Sequence, residues 1–351
     1  MSDGISEKQF VGVDLHLHRS VICRIDGRGQ QLECVQIDND PKALVKAVRA
    51  AGRGAPVAVE ATYGWYWAVD ALQAAKFEVH LAHPYGMKAM RKRKRVKTDA
   101  KDAYELANLL RLGSLPEGYI APKDLRELRE LVRHRRQLTK TATSVKAQIR
   151  ALLAKHGVRL PASCLESQAG QDQLDAVVLA ECAASRLESR RRLMMMLENE
   201  IDALDVELDR RLKTHDGYRN LLKVKGIGPV LAAVFVVEIG DITRFGTAEQ
   251  LACWAGITPR HYESDRTVRR GHISKEGCAL VRWAAVEAVQ RQCEPAVAKV
   301  REDILARRGQ QARNIAKVAA GRKMLEAVFY VLRDGQAHFL TARPATTEQA
   351  A

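Results

Sequence analysis

Between Phe10 and Asp38 three short runs rich in Val and Ile, VGVDLH, SVICRID and LECVQID, follow one another with only tight connections, one of them the turn Gly27-Arg28-Gly29. Strands joined so closely form a meander. The pattern then changes. Pro41 opens a helical stretch through Ala51, APVAVEAT (55–62) reads as a buried strand, and Trp65 to Ala75 reads as a helix. EVHLAHP (78–84) is a further strand and Asp99 to Leu112 a further helix, so hairpins give way to strand-helix alternation.

The resulting order, β-β-β-α-β-α-β-α, is that of the ribonuclease H fold, and it ends near residue 121 of a chain of 351. So long a chain exceeds one ordinary core, and two cores with a connecting element are expected. Between Leu125 and Leu152 the apolar residues Leu128, Leu131, Leu138, Ala142, Val145, Ile149 and Leu152 keep a seven-residue repeat, broken by Arg135 at one core position. Leu187, Met194, Leu197, Ile201, Leu204 and Leu208 repeat it less cleanly, with Arg190 and Arg211 at seam positions. This predicts a coiled-coil spacer, paired within one chain or between two, with an ordinary helical bundle as the alternative. After His215 the text becomes Gly-punctuated helices with a polar loop from 260 to 277, and QAHFLTARPATTEQAA reads as a frayed tail. The expected domains are 1–121, 122–214, 215–335 and a tail, 336–351.

The formal net charge is +15 and the sequence pI about 9.6, an excess that draws in polyanions, nucleic acid before membrane surface. No apolar run reaches membrane-spanning length, and the start MSDGISEKQF has no signal-peptide core, so a cytosolic protein without a membrane partner is expected. The seven cysteines are scattered without a CxxC pair or a His at zinc-ligand spacing, which predicts reduced, structural thiols.

Asp14 ends the first strand and Glu60 the fourth, so a ribonuclease H arrangement brings both carboxylates to one edge. Two acids together repel unless protonation or a cation compensates, and oxygen-only ligands suit Mg²⁺ or Mn²⁺. Asp99 and Asp102, at i and i+3 on one helical face, complete the cluster; taken alone they are also what an N-terminal capping pair looks like. Four acids are enough to hold two metals in phosphoryl-transfer geometry.

Lys88, Arg91, Lys92, Arg93, Lys94, Arg95 and Lys97 crowd the segment before the Asp99 helix. A charge run is ordinarily a solvated face, but beside a metal site it brings phosphates to it, and phosphate contact is expected. Arg133, Arg135 and Arg136, then Arg190, Arg191 and Arg192, would continue the basic surface. In Lys225-Gly226-Ile227-Gly228-Pro229, Gly226 and Gly228 form a tight turn between helices, resembling the helix-hairpin-helix motif that grips a DNA backbone; a simple helix-helix turn is the alternative. In the loop RHYESDRTVRRGHISKEG, Ser264, Tyr262, Thr267 and Ser274 carry hydroxyls, and chemistry alone singles out none of them. Arg266, Arg269, Arg270 and Lys275 are placed there to offset phosphoryl charge.

VGVDLH, VAVEAT and VKTDAKDAYELA, followed by KGIGPVLAAVFVVEIGDITRF, LACWAGITPRHYES and RRGHISKEG, resemble the DEDD transposases of the insertion sequence one-ten family, related to Piv-type DNA invertases. The resemblance covers nearly the whole chain in two independent stretches in the right order. It implies a RuvC-like N-terminal domain with metal-binding acids at Asp14, Glu60, Asp99 and Asp102, a coiled-coil spacer, and a mostly α C-terminal domain with the family's essential serine at Ser264. It further implies a covalent serine-DNA link in a composite site made by two protomers of a dimer or tetramer, with donor and target DNA as partners and, as in some members of the family, an element-encoded bridge RNA as guide. A bacterial, nucleoid-associated enzyme follows. Where the family often has glycine after the serine, this chain has Asp265, Arg266 and Thr267. The rival expectations are a Holliday-junction-type endonuclease using metal-activated water, and a nucleic-acid-binding scaffold without catalysis.

Overall fold

The computed structural model describes residues 8–90, 98–159, 165, 167–264 and 267–336. They divide into two compact units, Met1–Ala121 and Pro122–Ala351.

In the first unit strands β1 (Phe10–Leu15), β2 (Arg19–Ile25) and β3 (Gln31–Asp38) form the antiparallel meander. Helix α1 (Pro41–Arg49) then leads to β4 (Pro56–Glu60), and α2 (Trp65–Ala74) to β5 (Glu78–Ala82), with β1, β4 and β5 parallel. Helix α3 (Pro84–Met90), helix α4 (Asp99–Arg111) and a two-residue edge strand β6 (Glu117–Gly118) complete it. The sheet order β3-β2-β1-β4-β5-β6 is consistent with a ribonuclease H-like arrangement. Strand alternation sorts the side chains between two layers: Val11, Val13, Val57 and Val59 pack with Leu44, Val48, Ala68 and Leu72 of α1 and α2, while Ala58 and Ala82 pack with Leu106 and Leu110 of α4.

Gly12 explains how close α4 comes. A β-carbon there would stand 1.9 Å from the Ala103 carbonyl oxygen and 2.7 Å from the Ala107 nitrogen, so only glycine lets the helix lie against the central strand. The helix is also fastened at the meander turn, where the Tyr104 hydroxyl donates to the Gly29 carbonyl at 2.9 Å.

The expectation of reduced cysteines is corrected at one pair. Cys23 and Cys34 are register partners across β2 and β3, with Cα atoms 4.2 Å apart, and are joined as a disulfide. Direct cross-strand opposition brings together two thiols whose sequence context carries no pairing signal. Cys182, Cys253, Cys278 and Cys293 are free.

The second unit opens with two long helices, α5 (Lys123–Lys155, 33 residues) and α7 (Glu181–Leu212, 32 residues), joined through the short helix α6 (Gln168–Asp175). They run antiparallel: Ala142, Val145, Ile149 and Leu152 meet Leu187, Met194 and Leu197, and Arg135 pairs with Asp205 while Lys146 pairs with Glu198. The start of α5, through Leu125, Leu128, Leu131 and Val132, instead packs on a second core. At that core's centre lies α9 (Pro229–Ile239), preceded by α8 (Asp216–Leu221) and buried from Ala232 through Ile239. Around it stand α10 (Ala248–Trp254), α11 (Ala279–Glu287), α12 (Pro295–Arg308) and α13 (Arg313–Asp334).

Two readings of the second unit are corrected. The segment from 260 to 277 is no open polar loop: β7 (Pro259–Ser264) and β8 (Thr267–Ile273) pair as an antiparallel hairpin. Its Tyr, Val, Thr and Ile are strand formers, and its many charges suit a ribbon whose β7 residues are all exposed. Of the arginines expected to continue a basic surface, Arg133, Arg135, Arg136, Arg190 and Arg191 are engaged inside the unit, whereas Arg192 is exposed. Arg133 is bidentate to Glu238 at 2.8 and 3.0 Å, and Arg135 to Asp205 at 2.6 and 2.8 Å. The Arg136 guanidinium lies 4.0 Å from the centre of the Trp283 ring. Arg190 donates to Gln148, and Arg191 pairs with Asp175 and Glu188. Arg135 breaks the heptad because its seam position holds an ion pair. Among the described residues no helix is long and apolar enough to cross a membrane.

Candidate functional site

Asp14 and Glu60 stand at the carboxyl ends of adjacent parallel strands, in continuation of the register Val13↔Val59. Asp14 shares the parity of Gly12, and Glu60 that of Ala58, so both belong to the α4 face of the sheet. Thr98 caps α4, its hydroxyl accepting from the Lys101 N–H at 3.4 Å, and Asp99 and Asp102 form the first turn. Asp102 is only 6 % exposed, which a solvated capping acid would not be. The close seat that Gly12 gives α4 thereby carries its acidic first turn to the end of β1.

Asp14 is itself 6 % exposed. Burial pushes its carboxyl above the usual range; His16 opposes this, and the negative charges of Glu60, Asp102 and Asp99 add to it. Glu60, Asp102 and Asp99 thus all stand near enough to bear on Asp14 electrostatically. Sequence reasoning missed His16, whose Nε2 stands 3.3 Å from Asp14 Oδ2 and 3.4 Å from Asp99 Oδ1. Arg19 reaches Asp99 at 3.4 Å as well. The Asp14-Leu15-His16 spacing was the available signal, since alternation sends i and i+2 to one side. Hard carboxylate oxygens, one of them in a carboxyl already resisting ionisation, fit a divalent cation, and ligand atoms of Asp14, His16 and Asp99 lie within 4.8 Å of one another.

The other expected residues are spread over both units. Lys88 is exposed in the last turn of α3, whereas Arg91, Lys92, Arg93, Lys94, Arg95, Lys97 and Arg266 lie outside the described residues. Ser264 ends β7, whose residues are all exposed, opposite Thr267. Arg269 is exposed opposite Tyr262, and Arg270 falls on β8 opposite His261. Lys275 follows the hairpin with φ of 57° and donates its N–H to the Gly256 carbonyl at 3.1 Å. Gly226 is required by packing: φ is 103°, and a β-carbon would stand 2.4 Å from the Ala288 carbonyl oxygen. Gly228 caps α9 with open space around it.

With these positions in place, comparison with known proteins gives the chemistry its setting. Residues 11–157 match the model of DEDD transposases of the IS110 type, and residues 218–301 match the transposase model of the IS116/IS110/IS902 family. The class is thereby defined as the transposases, enzymes that cleave and recombine DNA. Among its relatives, a probable family 20 transposase of Pseudomonas aeruginosa is 28 % identical over 299 residues, 81 % of each chain. A putative transposase of Sinorhizobium fredii is 27 % identical over 55 % of this chain and 47 % of its own length. The transposase of insertion sequence element IS1111A from Coxiella burnetii is 22 % identical over 55 % of this chain and 54 % of its own. The chain belongs to the IS110 family of DEDD transposases. Such transposases are typically metal dependent, in keeping with the acidic group at the end of β1.

Proposed function

We propose that this transposase transfers DNA strands through a covalent serine intermediate, with Asp14, Glu60, Asp99 and Asp102 holding Mg²⁺ or Mn²⁺ and Ser264 as nucleophile. The observation that carries the metal half is the buried Asp14 carboxylate beside Asp99, with burial first and then the charges of Glu60, Asp102 and Asp99 opposing its ionisation. A divalent cation held there supplies positive charge that activates the scissile phosphate. The serine half rests on the family resemblance and on the exposure of Ser264 at the end of β7.

Ser264 Oγ forms a bond to phosphorus while the bond from phosphorus to the departing DNA oxygen breaks, and the hydroxyl proton ends on that oxygen. The phosphodiester energy is kept in the serine ester, so the reverse step reseals a strand without ATP. Arg266, Arg269, Arg270 and Lys275 offset charge at the transferring phosphate. Lys88 and the run from Arg91 to Lys97 hold DNA or RNA backbone, and the Gly226–Gly228 turn acts as a helix-hairpin-helix-like backbone grip. Helices α5 and α7 serve as a coiled-coil spacer within the proposed division 1–121, 122–214, 215–335 and 336–351. The working form is a dimer or tetramer, and a structured guide RNA pairs with donor and target DNA.

Labelled DNA incubated with the protein tests this on denaturing gels. The expected result is a protein-linked band that needs Mg²⁺ or Mn²⁺, is lost in Asp14→Ala and Asp102→Ala, and is lost in Ser264→Ala while DNA binding remains. An adduct of equal strength in Ser264→Ala would transfer the role to Tyr262 or Thr267. Cleavage without adduct in any sample would establish metal-dependent hydrolysis instead.

A further inference from the structure

His16 stands between two of the acids and has no part in the reading above. It sits on the turn after β1, and that turn is fastened. Asn39 Nδ2 donates to the carbonyls of His16 at 2.7 Å and Leu17 at 3.1 Å, and the His16 N–H donates to the Arg19 carbonyl at 3.0 Å. The imidazole is therefore carried on an anchored backbone with Nε2 3.3 Å from Asp14 Oδ2 and 3.4 Å from Asp99 Oδ1. An octahedral cation with bonds of about 2.1 Å holds neighbouring ligands about 3 Å apart. Both nitrogen–oxygen separations need to close by only a few tenths of an ångström to match that edge. Asp14 is held by its strand, Asp99 by the first turn of a capped helix and His16 by the anchored turn, so each ligand atom is carried on a fixed stretch of backbone.

We propose that His16 is a further metal-binding residue: its Nε2 joins Asp14 and Asp99 as an N,O,O donor set and gives the site a preference for Mn²⁺ or another first-row ion over Mg²⁺. The proposal rests on the reading that the acids hold a divalent metal. Its chemical ground is that imidazole suits transition ions, whereas Mg²⁺ takes oxygen ligands and keeps its waters. A hydrogen-bonded spacer between two carboxylates, the alternative role, has no reason to stay on the ion once the acids turn to it.

Mn²⁺ titrated into the full-length chain and followed by electron paramagnetic resonance gives the affinity, and electron spin-echo modulation detects a directly bonded imidazole ¹⁴N. Wild type is expected to show that nitrogen coupling. In His16→Gln, which keeps hydrogen bonding, the coupling should vanish, Mn²⁺ should bind about tenfold or more weakly, and Mg²⁺ should compete relatively better. His16→Asp, which restores a donor as oxygen, should recover ion binding with the preference moved toward Mg²⁺. Unchanged coupling or unchanged Mn²⁺ affinity in His16→Gln overturns the role of His16 while leaving the acids in place. Mn²⁺ binding that is absent in wild type, or indifferent to Asp14→Asn, overturns the acid site and this proposal together.

Discussion

Gly12 in the central strand lies so close beneath Ala103 of α4 that a β-carbon on it would stand 1.9 Å from the Ala103 carbonyl oxygen. The distance links packing to chemistry, because the same helix carries Asp99 and Asp102 to Asp14. Gly12→Ala must push α4 off the sheet. Overpacking of a core ordinarily costs about 1–3 kcal/mol, and a backbone clash belongs at or above the top of that range. Urea unfolding should show a loss of about 3 kcal/mol, and Mn²⁺ affinity should fall although no acid is changed. Wild-type stability with wild-type metal binding would mean that α4 does not depend on this close approach.

The buried Glu238, 4 % exposed, is held by Arg133, while Arg129 donates to the carbonyls of Val237 and Glu238 at 2.8 and 3.0 Å, at the last turn of α9. Removing Arg133 leaves a carboxylate in the core short of its bidentate partner. Breaking a fully buried pair costs about 3–5 kcal/mol; Arg133 is itself half in water, so about 2 kcal/mol is expected for Arg133→Ala. The double variant Arg133→Met, Glu238→Gln should recover most of it. Because this arginine serves the fold, the salt dependence of DNA binding should not change. Replacing Arg91 through Arg95 with Ala should flatten the salt slope by up to about 0.9 for each phosphate that is no longer neutralised. Reversed outcomes for the two variants would exchange the structural and the DNA-facing roles.

That contrast shows where the sequence was legible. Val and Ile in short runs announced β1, β2 and β4, because a strand buried on both faces needs those residues wherever it occurs, while the more exposed β3 and β5 were readable from the turn before β3 and from strand-helix alternation. Asp14 and Glu60 were readable as strand-end acids for the same reason. The partners of Arg133, Arg135, Arg136 and Arg191 were not, since an arginine in the text is a cation whether its acid is in solvent, on the next helix or in a core. His16 was hidden beside the more conspicuous aspartate. The hairpin of β7 and β8 was hidden because its sequence carries the charges that mark loops, and Asp265-Arg266 lacks the glycine that marks a tight hairpin turn. The disulfide depended on register, which composition does not carry.

Cysteine chemistry separates the thiols by environment. Burial, reinforced by the charge of Glu238, pushes the Cys278 thiol up to about 11, and burial raises Cys293 as well. A raised thiol pKa means less thiolate at a given pH. At pH 8 a thiol near 11 is on the order of a thousandth ionised, and its reactivity climbs about tenfold per pH unit until pH passes its pKa. Among the cysteines of the described residues, iodoacetamide with mass-spectrometric readout should therefore label the exposed Cys182 and Cys253 first and Cys278 far more slowly, with Cys23 and Cys34 protected until a reductant is added. Cys278 labelling as fast as Cys182 at pH 8 would contradict a half-buried thiol beside Glu238.

Asp14 belongs to the first unit and Ser264 to the second, and the family resemblance implies that acids of one protomer act with the serine of another. A protein with Asp14→Ala keeps its serine, and one with Ser264→Ala keeps its acids. Each alone should bind DNA and give no strand exchange, the first for want of phosphate activation and the second for want of a nucleophile. Mixed at a concentration that allows subunits to exchange, they should assemble oligomers in which one copy supplies each half. Random pairing of equal amounts sets a low ceiling on complete sites, so a partial return is the expected size. The returning adduct should sit on the Asp14→Ala chain, which a mass tag on either variant identifies in a denaturing gel. An adduct on the Ser264→Ala chain would move the nucleophile to another residue. No adduct from the mixture, with subunit exchange verified by the tags, would mean that acids and serine act within one chain.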